Sequence, residues 1–131
     1  MKRKKTSKLA KGKADVTSRY WRTKADRAWA VLVKQRAHGK CEVCRTNQNL
    51  QSHHLFDRSR KDMRHELRNG ICLCAKHHKW NREISAHRGS VAFYSWFVRE
   101  HREWWAWLLS NLYAPKDYEI DYKAAFERLS E

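Results

Sequence analysis

The sequence has no run of about 18 apolar residues, which excludes a membrane-spanning helix. Its start, "MKRKKTSKLAKGKAD", is basic but has no apolar stretch behind it, so it does not read as a secretory signal. Without export, disulfides are not expected, and the four cysteines point to metal instead. The expected location is intracellular, in the cytoplasm. There is no internal repeat, and 131 residues leave room for one modest core rather than two independent ones. Acids are scarce as well: 14 Asp and Glu stand against 29 Lys and Arg, a net charge of +15. Such an imbalance bears on partners rather than fold, and the usual partner is a polyanion. It is also uneven. Residues 116–131 hold five acids against three bases, so the excess lies entirely in the first 115 residues.

Residues 1–14 carry seven Lys or Arg and almost no apolar side chain, the composition of a disordered basic tail. An arm closing on phosphate backbone and a solubilising tail are both readings of it, and "KRKK" also matches a nuclear address. From Ser18 to Ala37 a three-to-four spacing of Trp21, Ala25, Ala28 or Trp29, Leu32 and Arg36 predicts a helix, with Thr17 or Ser18 to cap it and Gly39 to stop it. Residues 45–73 lack helical period and suit a hairpin with a long connecting loop, its second strand near "GICL" (70–73). A short helix is expected from Ala75 to about Ser85, broken by "HRGS" (87–90). Residues 91–113 predict one long helix with eight aromatics. Phe93, Phe97, Trp104 and Leu108 form its apolar stripe, with Trp105, Leu109 and Leu112 widening it. Core is the ordinary use of such a stripe, and a dimer face is a further candidate. Pro115 ends it, and a last amphipathic helix is expected over about 117–129.

Cys41-Glu-Val-Cys44 follows a helix and a Gly-Lys turn. Two intervening residues let both thiolates reach one ion about 2.3 Å away. Cys74-Ala-Lys-His77 repeats that spacing, so Cys41, Cys44, Cys74 and His77 predict a tetrahedral structural zinc site of three cysteines and one histidine. Cys72 is more simply a small buried strand residue. His78, His53 and His54 are left over. Adjacent histidines on a strand point to opposite faces, so one of His53 and His54 can hold a metal while the other takes a proton. Phosphodiester hydrolysis needs that combination.

With these residues in place the sequence resembles the HNH endonuclease family and its ββα-metal fold, over about residues 36–85. The family pattern is Cys-x-x-Cys, a His pair or Asp-His closing the first strand, Asn opening the second, then a second Cys-x-x-Cys with His or Asn directly after it. Here these are Cys41 and Cys44, His53-His54, Asn69, and Cys74 to His77 followed by His78. "LRNGICLC" is also similar to the small HNH proteins of bacteriophages, which assist recombination or DNA processing. The resemblance implies an α+β, zinc-stapled core with its leading helix over 15–88, and a C-terminal helical extension, 89–131, packed on it. It implies His54 as general base, His53 and His78 as ligands of a divalent catalytic metal, and Asn69 as the bridge across the connecting loop.

Two departures stand out. His77 replaces the usual fourth cysteine, and Arg82 stands one turn after His78 where some members place a further metal histidine. Two protein imidazoles then hold the catalytic ion, and nitrogen favours Mn2+, Ni2+ or Zn2+ over Mg2+. Arg58, Arg60, Lys61 and Arg64 in the loop, with Lys79 and Arg82 beyond the second strand, are the candidate contacts to DNA phosphate. The expectation is a metal-dependent DNA endonuclease. The alternative is a zinc-stapled DNA-binding module that does not cut.

Overall fold

The computed structural model describes residues 2–131, with side chains from Lys8 onward. Helices α1 (Lys2–Ala14) and α2 (Arg19–Arg36) lead into strands β1 (Leu50–His54) and β2 (Gly70–Cys74). A five-residue helical turn, Lys76–Trp80, follows β2, and then come α3 (Ser90–Glu100), α4 (Arg102–Ser110) and α5 (Tyr122–Leu129). The class is α+β, built on one two-stranded antiparallel sheet in which Leu50 faces Cys74 and His54 faces Gly70. Among the described residues no helix is long and apolar enough to cross a membrane.

All five residues of β2, "GICLC", are buried, because the strand is covered on both faces. Ile71 and Leu73 face the larger core with Phe93, Phe97 and Leu108, while Cys72 turns the other way onto Trp29, Val33 and Ala37 of the leading helix. The sheet is therefore the middle of three layers. α2 presents Ala25, Trp29 and Val33, one residue per turn, as its buried face. α5 lies along α2, with Phe126 against Trp21 and Leu129 at the Trp29 cluster.

Several elements differ from their sequence expectations. Residues 2–14 are helical rather than without regular structure, consistent with a run of Lys, which is a good helix former. The end of that helix is tied to α2 by the Trp21 indole, which donates to Lys13 O (2.9 Å). Ser18 occupies the N-cap of α2, but its hydroxyl donates to Gly12 O instead of capping. The segment 91–113 breaks at His101, whose φ of −134° and ψ of 59° end α3 and open α4. In one straight helix Phe97 and Trp104 would stand about 10.5 Å apart along the axis. The break folds Trp104 back, so that the two ring centroids lie 4.9 Å apart. The last helix starts at Tyr122, not 117, where Asp121 Oδ1 accepts from Ala124 N (2.8 Å) and fixes the start.

Two glycines set how α2 ends and how closely it approaches β2. Gly39 has a φ of 66° where the chain reverses out of α2. At Gly70 a Cβ would lie 2.4 Å from Val33 Cγ2 and 2.6 Å from Trp29 Cζ2. Gly70→Ala is expected to cost about 1–3 kcal/mol by overpacking. Urea unfolding with a lowered midpoint and an unchanged slope checks this; an unchanged midpoint would show that α2 and β2 are not in van der Waals contact there.

Candidate metal centres and the histidine cleft

The first cluster joins two turns. After α2, Cys41 N donates to Thr46 O (2.8 Å) and Arg45 N to Cys41 O (2.8 Å), curling the chain so that Cys41 and Cys44 face the same point. Glu42 pairs with Cys72 on the free edge of β2, its N donating to Cys72 O (3.0 Å) and its Oε2 accepting from Cys72 N (3.2 Å). From the other side come Cys74, at the end of β2, and His77, in the turn after it. Cys44 Sγ lies 3.8 Å from Cys74 Sγ, and His77 Nδ1 lies 3.3 Å from Cys74 Sγ and 3.9 Å from Cys41 Sγ. A tetrahedral zinc with ordinary bond lengths places two sulfurs about 3.8 Å apart and sulfur and nitrogen about 3.6 Å apart. A disulfide needs about 2.0 Å. Cys41, Cys44, Cys74 and His77 thus form a group that can hold a structural metal such as zinc. Cys72 stands outside it. Burial pushes its thiol up to about 11, so it stays protonated and serves as packing.

The second cluster was only half legible in the sequence. Successive residues of a helical turn point about 100° apart, so His77 and His78 cannot face one ion. His77 takes the sulfur cluster, and His78 turns to a cleft of about 450 Å³. The predicted helix 75–85 stops at Trp80, where Asn81 N donates to Lys76 O (2.9 Å) and the backbone turns extended. Asn81 Oδ1 then accepts from Glu83 N and Ile84 N, and the chain doubles back, with Ala86 N bonded to His77 O and His87 N to His78 O. Ser85 Oγ takes the amides of Arg88 and Gly89 and closes the turn. This return delivers His87 beside His78, with their Nε2 atoms 3.1 Å apart. His53, from β1, closes the group with ring centroids 4.9 Å from His78 and 5.1 Å from His87. His53, His78 and His87 therefore offer three imidazole nitrogens within 4.8 Å of one another. His78 Nδ1 donates to Gln51 Oε1, which leaves Nε2 as the free lone pair, the outer-sphere arrangement that fixes a metal-binding tautomer. Burial, with help from the neighbouring histidines, lowers the pKa of His53 to about 3 and that of His78 to about 4. Both are neutral at pH 7 and able to ligate.

His54 points the other way, as the alternation of a strand requires. Its ring is stacked on Trp29 at 3.8 Å and 9°, and its Nε2 donates to Arg64 O (2.9 Å). In the neutral ring Nδ1 is then the base nitrogen. Burial, which outweighs the Arg64 carbonyl, lowers its pKa to about 4. Arg64 itself is locked: its Nε and Nη2 donate to the two oxygens of Asp26, each at 2.8 Å, and His65 Nε2 donates to Asp26 Oδ1 (2.7 Å). Burial opposes ionisation of Asp26, but these bonds win and hold its carboxyl well below the usual carboxylate range. α2 thus supplies Trp29 and Asp26 to the setting of His54. Neither lies in the stretch that carries the family resemblance.

Asn69 is fully buried. Its Nδ2 donates to Phe56 O (3.1 Å) and Met63 O (3.0 Å), and its Oδ1 accepts from Phe56 N (2.6 Å), so it spans the connecting loop. The six candidate phosphate contacts divide. Arg58 and Lys79 are exposed and line the cleft, and Lys61 and Arg82 are exposed. Arg64 is given over to Asp26. Arg60 bonds Asp62 and the carbonyls of Asn111 and Leu112 and stacks on Phe56, clamping the loop onto the end of α4. These two cations hold the fold together rather than facing solvent, because each found a carboxylate partner within the chain. No protein-family model matches the chain, no curated protein matches it, and no solved structure matches its fold.

Cys44→Ala and Cys74→Ala should each lose about one equivalent of bound zinc and the cooperative unfolding of the core. Cys72→Ala should keep its zinc and lose only about 1 kcal/mol of packing. Metal analysis by plasma mass spectrometry together with thermal melts checks this. Zinc loss from Cys72→Ala equal to that from Cys74→Ala would overturn the ligand set.

Proposed function

We propose that this chain is a metal-dependent DNA endonuclease of the HNH type, with its ββα-metal core formed by β1, β2 and the turn Lys76–Trp80. The observation that supports this reading most directly is the convergence of four imidazoles on one cleft. Three (His53, His78, His87) are placed to hold one divalent ion, and the fourth (His54) is fixed as a base. His87 could fill the place that Arg82 leaves open, so that an ion held there would have three protein ligands rather than two.

A divalent ion at the three imidazoles supplies charge to the phosphate and to the departing 3′ oxygen. The chain's own groups do the rest. His54 Nδ1 takes the proton of the attacking water, with its ring held edge-on by the Arg64 carbonyl and face-on by Trp29. Asn69 keeps the loop that carries Arg64 at a fixed distance from the end of β1. Arg58 and Lys79 flank the cleft and draw in the phosphate backbone. A ligand set of three nitrogens with no carboxylate favours Mn2+, Ni2+ or Zn2+ over Mg2+.

His54→Ala should lose cleavage by a factor on the order of 10²–10⁴ while keeping zinc, fold and DNA affinity, and added Mn2+ should not restore it. His87→Ala should also lose cleavage, but with part of it recovered at raised Mn2+. Plasmid nicking across a metal titration reads both. His54→Ala nicking at the wild-type rate would end the nuclease reading and leave a DNA-binding module.

The pH dependence follows from the burial of His54. A base with a lowered pKa stays unprotonated as pH falls, and is lost only as pH drops through about 4. An imidazole at the ordinary 6.5 would be about tenfold depleted at pH 5.5. Initial rates at saturating cation should therefore hold from pH 7.5 to 5.5, and a midpoint near 6.5 would show a solvated base.

A further inference from the structure

The loop between the strands is tied to α2 at four consecutive residues. The Arg64 guanidinium donates to both oxygens of Asp26, each at 2.8 Å, and His65 Nε2 donates to Asp26 Oδ1 (2.7 Å). The Glu66 carbonyl accepts from the Trp29 indole (2.8 Å), and the Leu67 carbonyl accepts from Arg36. Asp26, Trp29 and Arg36 follow one another at helical intervals of three and seven, so one face of α2 makes all four ties. α5 covers them, with Tyr122 edge-on to the His65 ring at 5.6 Å. The first tie is the consequential one, because Arg64 also carries the backbone carbonyl that takes the Nε2 proton of His54 (2.9 Å).

We infer that Asp26 is a positioning residue for His54: by gripping the Arg64 side chain it fixes the backbone carbonyl that orients the imidazole. The inference rests on the reading of His54 as the base of a nuclease. A loop carbonyl held by nothing else is a poor guide for such a ring, since an error of about 1 Å in placement can cost 10²-fold in rate. A planar guanidinium bonded to both oxygens of one carboxylate has a single geometry, and His65 on the same Oδ1 stops that carboxylate from turning. The place of Asp26 gives the role a distinct signature. Asp26 lines the cleft, where a negative charge by itself works against a phosphate. If its bearing were on DNA binding alone, removing that charge would leave binding unchanged or tighter and cleavage no slower. A positioning role predicts the opposite for cleavage.

The test uses the zinc-loaded full chain. Asp26→Asn keeps the shape of the side chain and removes its charge, and Arg64→Lys keeps the charge and the carbonyl but not the two-pronged grip. In each, kcat for plasmid nicking at saturating Mn2+ should fall by a factor on the order of 10–10², while KM for DNA stays within about twofold of the wild type or falls. The second readout needs no cleavage. With isotope-labelled histidine and no added divalent ion, the Nε2 proton of His54 should exchange slowly with water in the wild type and about tenfold faster or more in both variants. Retained zinc and a cooperative melt exclude unfolding as the cause. Unchanged exchange in both variants would overturn the proposal. So would a rise in KM that accounts for the lost activity, which is the result expected of an Arg64 that meets phosphate. Faster exchange in a protein that never nicks keeps the grip on His54 and removes the nuclease, and nicking with unchanged exchange does the reverse.

Discussion

The strand β2 cannot be exposed on either face, and the rest of the molecule is arranged around that constraint. Ile71 and Leu73 need the aromatic helices on one side, and Cys72 needs Trp29 and Val33 on the other. Gly70 allows α2 to come as close as it does, with the guanidinium of Arg36 closing the gap by bonding Leu67 O and Gly70 O. A two-stranded ribbon is at best marginal alone in water. Here both faces and one edge are occupied, the edge by Glu42 of the cysteine turn. The cluster of three cysteines and His77, which can hold a metal, joins residues 30 apart and so closes the loop that contains both strands. It fixes where β2 ends and where the turn of His77 and His78 begins.

That turn is shared by the two clusters. His77 holds it from below through the sulfur group, and His78 presents its Nε2 to the cleft above. The rotation between consecutive residues is what separates a stabilising ligand from a cleft ligand. His53 and His54 divide their work on the same principle with the period of a strand instead of a helix. Two adjacent pairs of histidines, each split by backbone geometry, account for four of the five imidazoles that form the two clusters and the candidate base. The fifth, His87, comes in on a return loop.

What the sequence made legible is what has a fixed period. Paired x-x spacings identified Cys41, Cys44, Cys74 and His77, strand alternation separated His53 from His54, and a helical stripe placed Ala25 and Trp29 inside, though it named Leu32 where Val33 is the buried residue. What it hid depends on side chains that meet across the fold. His87 sits nine residues from His78, a separation with no helical or strand meaning. Only the Asn81 and Ser85 turns that reverse the chain bring it back. Arg64 looked like a free cation because its partner, Asp26, is 38 residues away; Arg60 pairs with Asp62 two residues on, but its tie to the carbonyl of Asn111 spans 51 residues. The break at His101 carries no proline or glycine. It forms because Trp104 gains more against Phe97 and the Arg68 carbonyl than a continued helix would offer.

A cleft built from imidazoles suits this chain for an electrostatic reason. In a protein with about twice as many cations as acids, a carboxylate is readily taken up by an arginine, as Asp26 at the cleft is by Arg64. A neutral imidazole attracts no such partner and brings no charge into a buried wall. Burial lowers the proton affinity of His53, His54 and His78 together, so their lone pairs stay open in the presence of so many neighbouring cations. Two aspartates, Asp26 and Asp57, also line the cleft, and Asp26 is offset by its bonds to Arg64. The flanking Arg58 and Lys79 supply positive charge at the cleft lining. Three neutral imidazoles offer nitrogen donors without charge, so an ion bound there would be a later divalent metal more readily than magnesium.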